Sequence, residues 1–185
     1  DKKLLILGAG TNVILDDYFD GTVIKVQLTE IEIHEDCISV GGGVDWAELI
    51  EYCLTNQLYG IENLTHIPGS VGAAPVQNIG AYGVEISSFI ESVECFNLST
   101  RKVEKLNNDQ CKFSYRHSIF QLKNYIILKV NFIFNKSFDP NLSYPVLSDF
   151  LKDNSIDASS ITPRMLSESV KDIRNSKLPD PKLQP

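Results

Sequence analysis

Two groups of residues in this sequence carry the types and spacing that chemistry needs. The first is His66-Ile67-Pro68-Gly69-Ser70-Val71-Gly72-Ala73-Ala74-Pro75-Val76-Gln77-Asn78-Ile79-Gly80-Ala81-Tyr82-Gly83, with four glycines and two prolines among small residues. A backbone so lightly covered can approach a ligand closely, as a phosphate or cofactor loop does. A tight structural turn has the same composition, and composition alone leaves both readings open. The second group is Tyr115-Arg116-His117-Ser118, four consecutive side chains able to donate hydrogen bonds. Its plain alternative is a solvated loop whose arginine pairs with a surface carboxylate.

Two smaller groups flank these. Gly8-Ala9-Gly10-Thr11-Asn12 follows an apolar run and superficially suggests a dinucleotide fingerprint. The third glycine of that fingerprint is replaced by Val13, and Val13-Ile14-Leu15 favours extended chain over helix, so a Rossmann unit is rejected. Consecutive main-chain N–H groups in such a turn still form an anion-binding nest, to which Thr11 and Asn12 add side-chain polar groups. Near the end, Arg174, Lys177 and Lys182 surround Leu178-Pro179-Asp180-Pro181, a stiff, locally basic loop in an acidic chain. Ordinary compensation of a helix C-terminus also accounts for these cations.

These groups must be held by ordinary elements. Lys3 to Leu7 reads as a buried strand delivering the first glycine turn. Residues 21–28, 31–35 and 37–40 read as a meander of antiparallel strands. Gly41-Gly42-Gly43 then needs either a sharp strand-to-helix turn or a close ligand approach. Asp45 and Glu48 cap a helix reaching about Asn56, with Ala47, Ile50, Cys53 and Leu54 on one face and Trp46 in the core. Residues 89–98 and 103–106 read as a hairpin, and residues 125–134 as a strong strand. Ser143-Tyr144-Pro145 opens a short helix through Leu151, and Thr162-Pro163 opens a firm one with Leu166, Val170 and Ile173 inward. Residues 153–160 read as a flexible surface segment.

Composition narrows the partners. The net charge is -7, which disfavours a sequence-independent grip on nucleic acid. Four cysteines, Cys37, Cys53, Cys95 and Cys111, form no C-x-x-C pair, and the three histidines lack metal-ligand spacing, so no metal site is expected. No apolar run is long enough to span a membrane and no signal peptide is legible, which predicts a soluble, cytoplasmic protein. A start at Asp1 and an end at Pro185 in a proline-rich turn read as cuts inside a larger protein.

Taken in order, Gly8 to Asn12, Gly60-Ile61-Glu62-Asn63-Leu64 running into Ile67 to Gly83, Tyr115-Arg116-His117-Ser118-Ile119-Phe120, and Lys177-Leu178-Pro179-Asp180-Pro181-Lys182 resemble the UDP-N-acetylenolpyruvoylglucosamine reductase family. Ser143-Tyr144 before a short helix resembles the extra substrate loop of the family's first type. The resemblance implies an α+β fold, the FAD-binding fold of the vanillyl-alcohol-oxidase class. It implies a remnant of the first FAD subdomain over 1–27, the second over 28–178, and the start of the linker to a missing substrate domain over 179–185.

The implied chemistry is two hydride steps, from NADPH to FAD and from the flavin to C3 of the enolpyruvyl group of a UDP-sugar ether, with a proton delivered to C2. Arg116 matches the family's catalytic arginine; a guanidinium stays protonated and grips a carboxylate bidentately, which a lysine does not reproduce. Gly8, Gly10, Thr11 and Asn12 match the first FAD-phosphate loop, with threonine where serine is common. Gly69, Ser70, Gly72, Asn78, Gly80, Ala81 and Gly83 match the second, and Arg174 a flavin-side arginine. Tyr82, Tyr115, Tyr144 and Lys177 match the substrate side. The family's proton-donor serine and its carboxylate partner would lie after Lys182, so the chain as given is expected not to turn over, and no protein partner is expected. Another FAD oxidoreductase of the same fold, a nucleotide-binding module without redox chemistry, and a nonfunctional remnant are the alternatives.

Overall fold

The computed structural model describes residues 3–15, 17–35, 37–122 and 124–177. The predicted first strand is present as β1 (Lys3–Leu7), but its partner is unexpected. Strand β2 (Gly21–Lys25) lies parallel to β1, in the register Lys3↔Gly21 to Leu7↔Lys25, and not at the head of an antiparallel meander. The connection over residues 8–20 is long enough to return the chain in the same direction, which a tight hairpin turn is not. Only the latter half of the expected meander is antiparallel: β3 (Ile31–Ile33) on β4 (Ile38–Gly41).

The Gly41 to Gly43 triplet explains itself at this point. A Cβ on Gly41 would stand 2.3 Å from the Leu28 carbonyl oxygen, one on Gly42 2.8 Å from that of Ile127, and one on Gly43 2.7 Å from the Gln27 Cα. Glycine is required because the protein's own backbone passes here, not a ligand. The crossing is bonded: Gly41 N–H donates to Glu30 (2.8 Å), Gly43 N–H to Leu28 (2.8 Å) and Gly42 N–H to Leu128 (2.7 Å).

Helix α1 (Trp46–Thr55) starts at Asp45, whose carboxylate accepts from the Ala47 N–H at 2.9 Å. Its buried face is Trp46, Leu49, Ile50 and Cys53; Ala47 faces solvent instead, one step round the helix from the expected stripe. Trp46 is core, and its Nε1 donates to the Leu64 carbonyl (2.9 Å). Short 3-10 turns at Glu62–Leu64 and Val71–Ala73 lead to the small hairpin β5 (Gly80–Ala81) and β6 (Val84–Glu85).

The predicted hairpin is β7 (Ile90–Asn97) with β8 (Lys102–Asn107). A capping box of Asn107 and Gln110 starts α2 (Asn108–Cys111), and β9 (Tyr125–Phe132) completes an antiparallel sheet of order β3-β4-β9-β7-β8. Val40, Trp46, Leu49, Leu64, Val71, Val93, Val130 and Phe132 make its core. The last two elements are α3 (Pro145–Asp153) and α4 (Pro163–Lys177), the latter capped by Thr162, whose Oγ1 accepts from the Met165 N–H at 3.2 Å. They form a second cluster, in which Leu147, Leu151, Leu166, Val170 and Ile173 are buried.

Cys53, Cys95 and Cys111 are buried thiols. Burial pushes the Cys95 thiol up to about 11 and the Cys111 thiol up to about 12, and raises Cys53 further still. No helix among the described residues is long and apolar enough to cross a membrane.

The β1–β2 pair is much less covered than the five-stranded sheet. Leu4 and Val23 within it, and Val13, Ile14, Leu15, Tyr18 and Phe19 between its strands, are exposed. A two-stranded sheet with so little burial opens easily. Amides of Leu5 and Ile6 are therefore expected to exchange with deuterium at least ~100-fold faster than those of Val93 and Val130, measured by hydrogen-exchange NMR or mass spectrometry.

Candidate functional site

The two glycine loops meet. A Cβ on Gly8 would stand 2.8 Å from the Ser70 hydroxyl and 3.7 Å from the Ala73 Cβ. The Thr11 hydroxyl donates to the Pro68 carbonyl at 3.3 Å. Gly10 (φ 79°) and Gly69 (φ 137°) hold backbone conformations that L side chains avoid. Yet a Cβ at Gly10 would meet nothing within 4 Å, and one at Gly69 only Thr11 Oγ1 at 3.5 Å. These two glycines therefore shape a loop surface facing open space, while Gly72 serves packing, its Cβ position 2.9 Å from the Gly42 carbonyl oxygen. Among the described residues, no main-chain acceptor takes the N–H groups of Ala9 to Asn12. Free N–H groups in a glycine turn are the donor set a phosphate requires. The two loops thus fit an anionic dinucleotide cofactor.

The far half of residues 66–83 is tied to the arginine loop. Asn78, 1% exposed and at φ 42°, donates through Nδ2 to Glu85 Oε2 (2.8 Å) and to the Ser114 carbonyl (3.1 Å), while its Oδ1 accepts from the Ser87 N–H (3.0 Å). Its amide is committed to the protein, so its side chain shapes the loop. Ser118 Oγ donates to the Val76 carbonyl (2.8 Å), and Arg116 Nη2 to the Gly80 carbonyl (2.9 Å). Arg116 itself sits at φ 54°, its carbonyl accepting from Gln121 Nε2 (3.0 Å). The exposed guanidinium is thereby anchored by one nitrogen on the glycine-rich stretch, and the others remain available to an anion. Neighbouring Tyr115 is 82% exposed.

Tyr82 and Gly83 form the two-residue turn between β5 and β6, with φ of 47° and 83°. Two positive φ values match the strand twist of a tight hairpin, but a tyrosine in the first of them is costly, of order 1–3 kcal/mol. Tyr82 meets Tyr144 edge-to-face, with ring centroids 5.5 Å apart. Burial raises the Tyr82 phenol above its ordinary value, with Arg174 pulling the other way. Arg174 donates through Nε to the His66 carbonyl (3.0 Å), fixing another left-handed residue (φ 63°), and the buried pair Thr65 and Ser167, 2.7 Å apart, ties the same turn to α4. Lys177 is exposed at the end of α4. The motif beyond it, with Lys182, lies outside the described residues, as does any contact it makes. Loops 8–12, 66–83 and 114–118, the 141–144 segment and the end of α4 are thus linked by contacts that run from one to the next.

Glu62 and Asn63 stand within a motif but carry no task legible from the sequence, and Asn141 lies outside every motif. Asn63 is 2% exposed and donates through Nδ2 to both the Tyr82 (2.9 Å) and Asn141 (2.8 Å) carbonyls. Glu62 is 4% exposed; Oε2 accepts from the Gly60 N–H (2.8 Å), while Oε1 has no hydrogen-bond partner among the described residues. The available signal was a polar pair between the apolar Ile61 and Leu64.

Burial raises the Glu62 carboxyl above its ordinary value. The folded state then holds its proton to higher pH than the unfolded chain, so stability falls as pH rises from the unfolded value through the raised one. Glu62→Gln cannot titrate. The stability of the wild type relative to this variant should therefore decline across that window, by at most about 1.4 kcal/mol per pH unit, measured by urea titration at several pH values.

Comparison with known proteins agrees with this geometry. A UDP-N-acetylenolpyruvoylglucosamine reductase of Shewanella oneidensis is 40% identical over 97% of this chain and 53% of its own length. Those of Photorhabdus laumondii and Pseudoalteromonas translucida are 42% and 43% identical, over 97% and 95% of this chain and 53% and 52% of theirs. The chain spans about half the length of these curated relatives. In three dimensions it resembles the crystal structure of UDP-N-acetylenolpyruvylglucosamine reductase from Thermus caldophilus, with a TM-score of 0.68, 17% identity, and coverage of 97% of this chain and 58% of the other, which shows a shared fold. The model of the FAD binding domain family matches residues 1–106, more than half of the sequence and inclusive of both glycine loops, and the chain belongs to that family.

Proposed function

We propose that this chain is the flavin-binding portion of an enzyme that reduces the enolpyruvyl group of a UDP-N-acetylglucosamine ether with NADPH, giving UDP-N-acetylmuramate for peptidoglycan. The observation that carries the reading is Arg116, held by Gly80 on the same stretch that forms a wall with Gly8 to Asn12. A loop alone accounts for binding a cofactor; a fixed guanidinium beside it accounts for an unsaturated carboxylate as substrate. The relatives' names support the substrate class.

When bound, FAD supplies the hydride transfer itself. The chain's own residues bind and orient. Gly8, Gly10, Thr11 and Asn12 on one side, and Gly69 and Ser70 on the other, offer N–H groups and the Ser70 hydroxyl to the diphosphate, while Gly72, whose N–H is taken by the Gly42 carbonyl, lets the loop pack closely behind them. Gly80, Ala81 and Gly83 keep the floor of the site free of bulk, Asn78 braces it, and Arg174 fixes His66 at its edge. Arg116 holds the pyruvyl carboxylate and stabilises the negative charge that grows there as hydride adds to C3, before a proton reaches C2. Tyr82, Tyr144, Tyr115 and Lys177 form the substrate side, where Lys177 suits a diphosphate. Residues 1–27 belong to the first FAD subdomain, 28–178 to the second and 179–185 to the linker that follows. The separate β1–β2 sheet supports that division. A cytoplasmic location suits a nucleotide-sugar substrate.

The test is an absorbance spectrum of the purified full-length protein, then NADPH oxidation with and without the enolpyruvyl nucleotide. Oxidation stimulated by the nucleotide supports the reading. A colourless protein without flavin affinity defeats it, and turnover of an alcohol or sugar instead would favour an oxidase of the same fold.

A further inference from the structure

We infer that Asn63 is a positioning residue that sets the spacing of the Tyr82–Tyr144 pair, and so the affinity for the nucleotide substrate. The inference rests on the reading above only for the identity of the ligand. Asn63 lies on the Glu62–Leu64 turn, inside the protein, and its one amide nitrogen donates to two carbonyls from distant parts of the chain, Tyr82 and Asn141. Asn141 returns the link, donating through Nδ2 to the Gly83 carbonyl (3.1 Å), while its Oδ1 accepts from the Ser143 N–H (3.2 Å) and hydroxyl (2.7 Å). Two asparagines therefore fasten both residues of the left-handed turn to the segment that ends in Tyr144. A tyrosine at φ 47° persists only where its surroundings over-determine it, and these bonds are what over-determine it. They also fix where α3 starts, since Tyr144 is its N-cap. No other hydrogen bond described in the structure joins the Tyr82-Gly83 turn to the 141–144 segment.

The consequence is a division of labour between two half-reactions. Flavin reduction by NADPH depends on the segments Gly8 to Asn12 and Gly69 to Gly72, to which neither Asn63 nor Asn141 is bonded. Capture of the enolpyruvyl UDP-sugar depends on the tyrosine pair, which it does.

The experiment uses the full-length, FAD-loaded protein with two substitutions. Asn63→Asp keeps the shape and removes the donor; Asn141→Ala removes the return link to Gly83 together with the Ser143 bonds and keeps the carbonyl that Asn63 uses. KM for the enolpyruvyl UDP-sugar should rise about tenfold in the first and about threefold in the second, while stopped-flow flavin reduction by NADPH stays within twofold of wild type. Amide exchange at Val84 and Ser143 should accelerate together in Asn63→Asp, with Val93 and Val130 unchanged. An unchanged KM, or equal losses in both half-reactions, overturns the inference, since a merely stabilising residue leaves KM of the folded enzyme alone. Should Asn63→Asp fail to fold, Asn141→Ala decides by the same measures. Should the wild type not bind the nucleotide, the functional reading falls, and the exchange arm alone judges the tether: acceleration at Val84 without Ser143 overturns it.

Discussion

Replacing Arg116 with lysine should lower kcat for reduction of the enolpyruvyl nucleotide by about 100–1,000-fold, the usual loss when one preorganised donor to a developing anion is removed. The charge survives in this variant, so the loss measures the fork. A lysine is a point charge on a flexible stem and cannot present two parallel N–H groups while another holds the Gly80 carbonyl. Flavin reduction by NADPH should change by less than about threefold, because the arginine loop keeps its other ties to the glycine stretch, Ser118 to Val76 and Asn78 to Ser114. The two rates are separable by stopped flow, following flavin absorbance first on mixing with NADPH and then on mixing the reduced enzyme with nucleotide. Equal losses in both would mean that Arg116 only braces the loop.

Gly41→Ala should be strongly disruptive to the fold. Its new methyl would lie 2.3 Å from the Leu28 carbonyl oxygen and 2.6 Å from its carbon, neither of which is the far end of a flexible side chain. The strand cannot slide to relieve the clash, because Gly41 N–H is bonded to Glu30 and Gly43 N–H to Leu28 on either side. Overpacking of this kind costs roughly 1–3 kcal/mol, with the backbone clash placing it at the upper end. For a protein of this size that corresponds to a fall in Tm of about 5–10 °C, readable by calorimetry. Weaker FAD binding should accompany it, since residues 27–28 lead directly from the lobe that carries Gly8 to Asn12.

Much of this was legible in the sequence, for reasons that are local. Helix α4 announces itself through Thr162-Pro163 and an apolar period, and the β7–β8 hairpin through its strands and polar turn. The ordered motifs pointed to a flavin fold because their order, not any single glycine turn, is distinctive. What stayed hidden is non-local. Nothing in residues 21–25 says that their partner is β1 running the same way, and nothing in three successive glycines says whether a ligand or residues 27–28 will pass beside them. The Asn63 link was equally invisible, because its partners, Tyr82 and Asn141, lie far along the chain. The tethering of the arginine loop to the glycine stretch depends on Asn78 and Ser118, whose motifs were noticed but whose bonds only the structure supplies.

The three shielded thiols have a practical use. Cys95 lies on a central strand, Cys53 on the helix that covers the sheet and Cys111 in the short helix beside it, and at neutral pH each is held as unreactive thiol by its surroundings. Once half-buried Cys37 is replaced, an alkylating reagent that consumes thiolate counts the openings of this lobe and ignores collisions with its surface. The fold thus carries its own stopwatch, with three hands set at different depths.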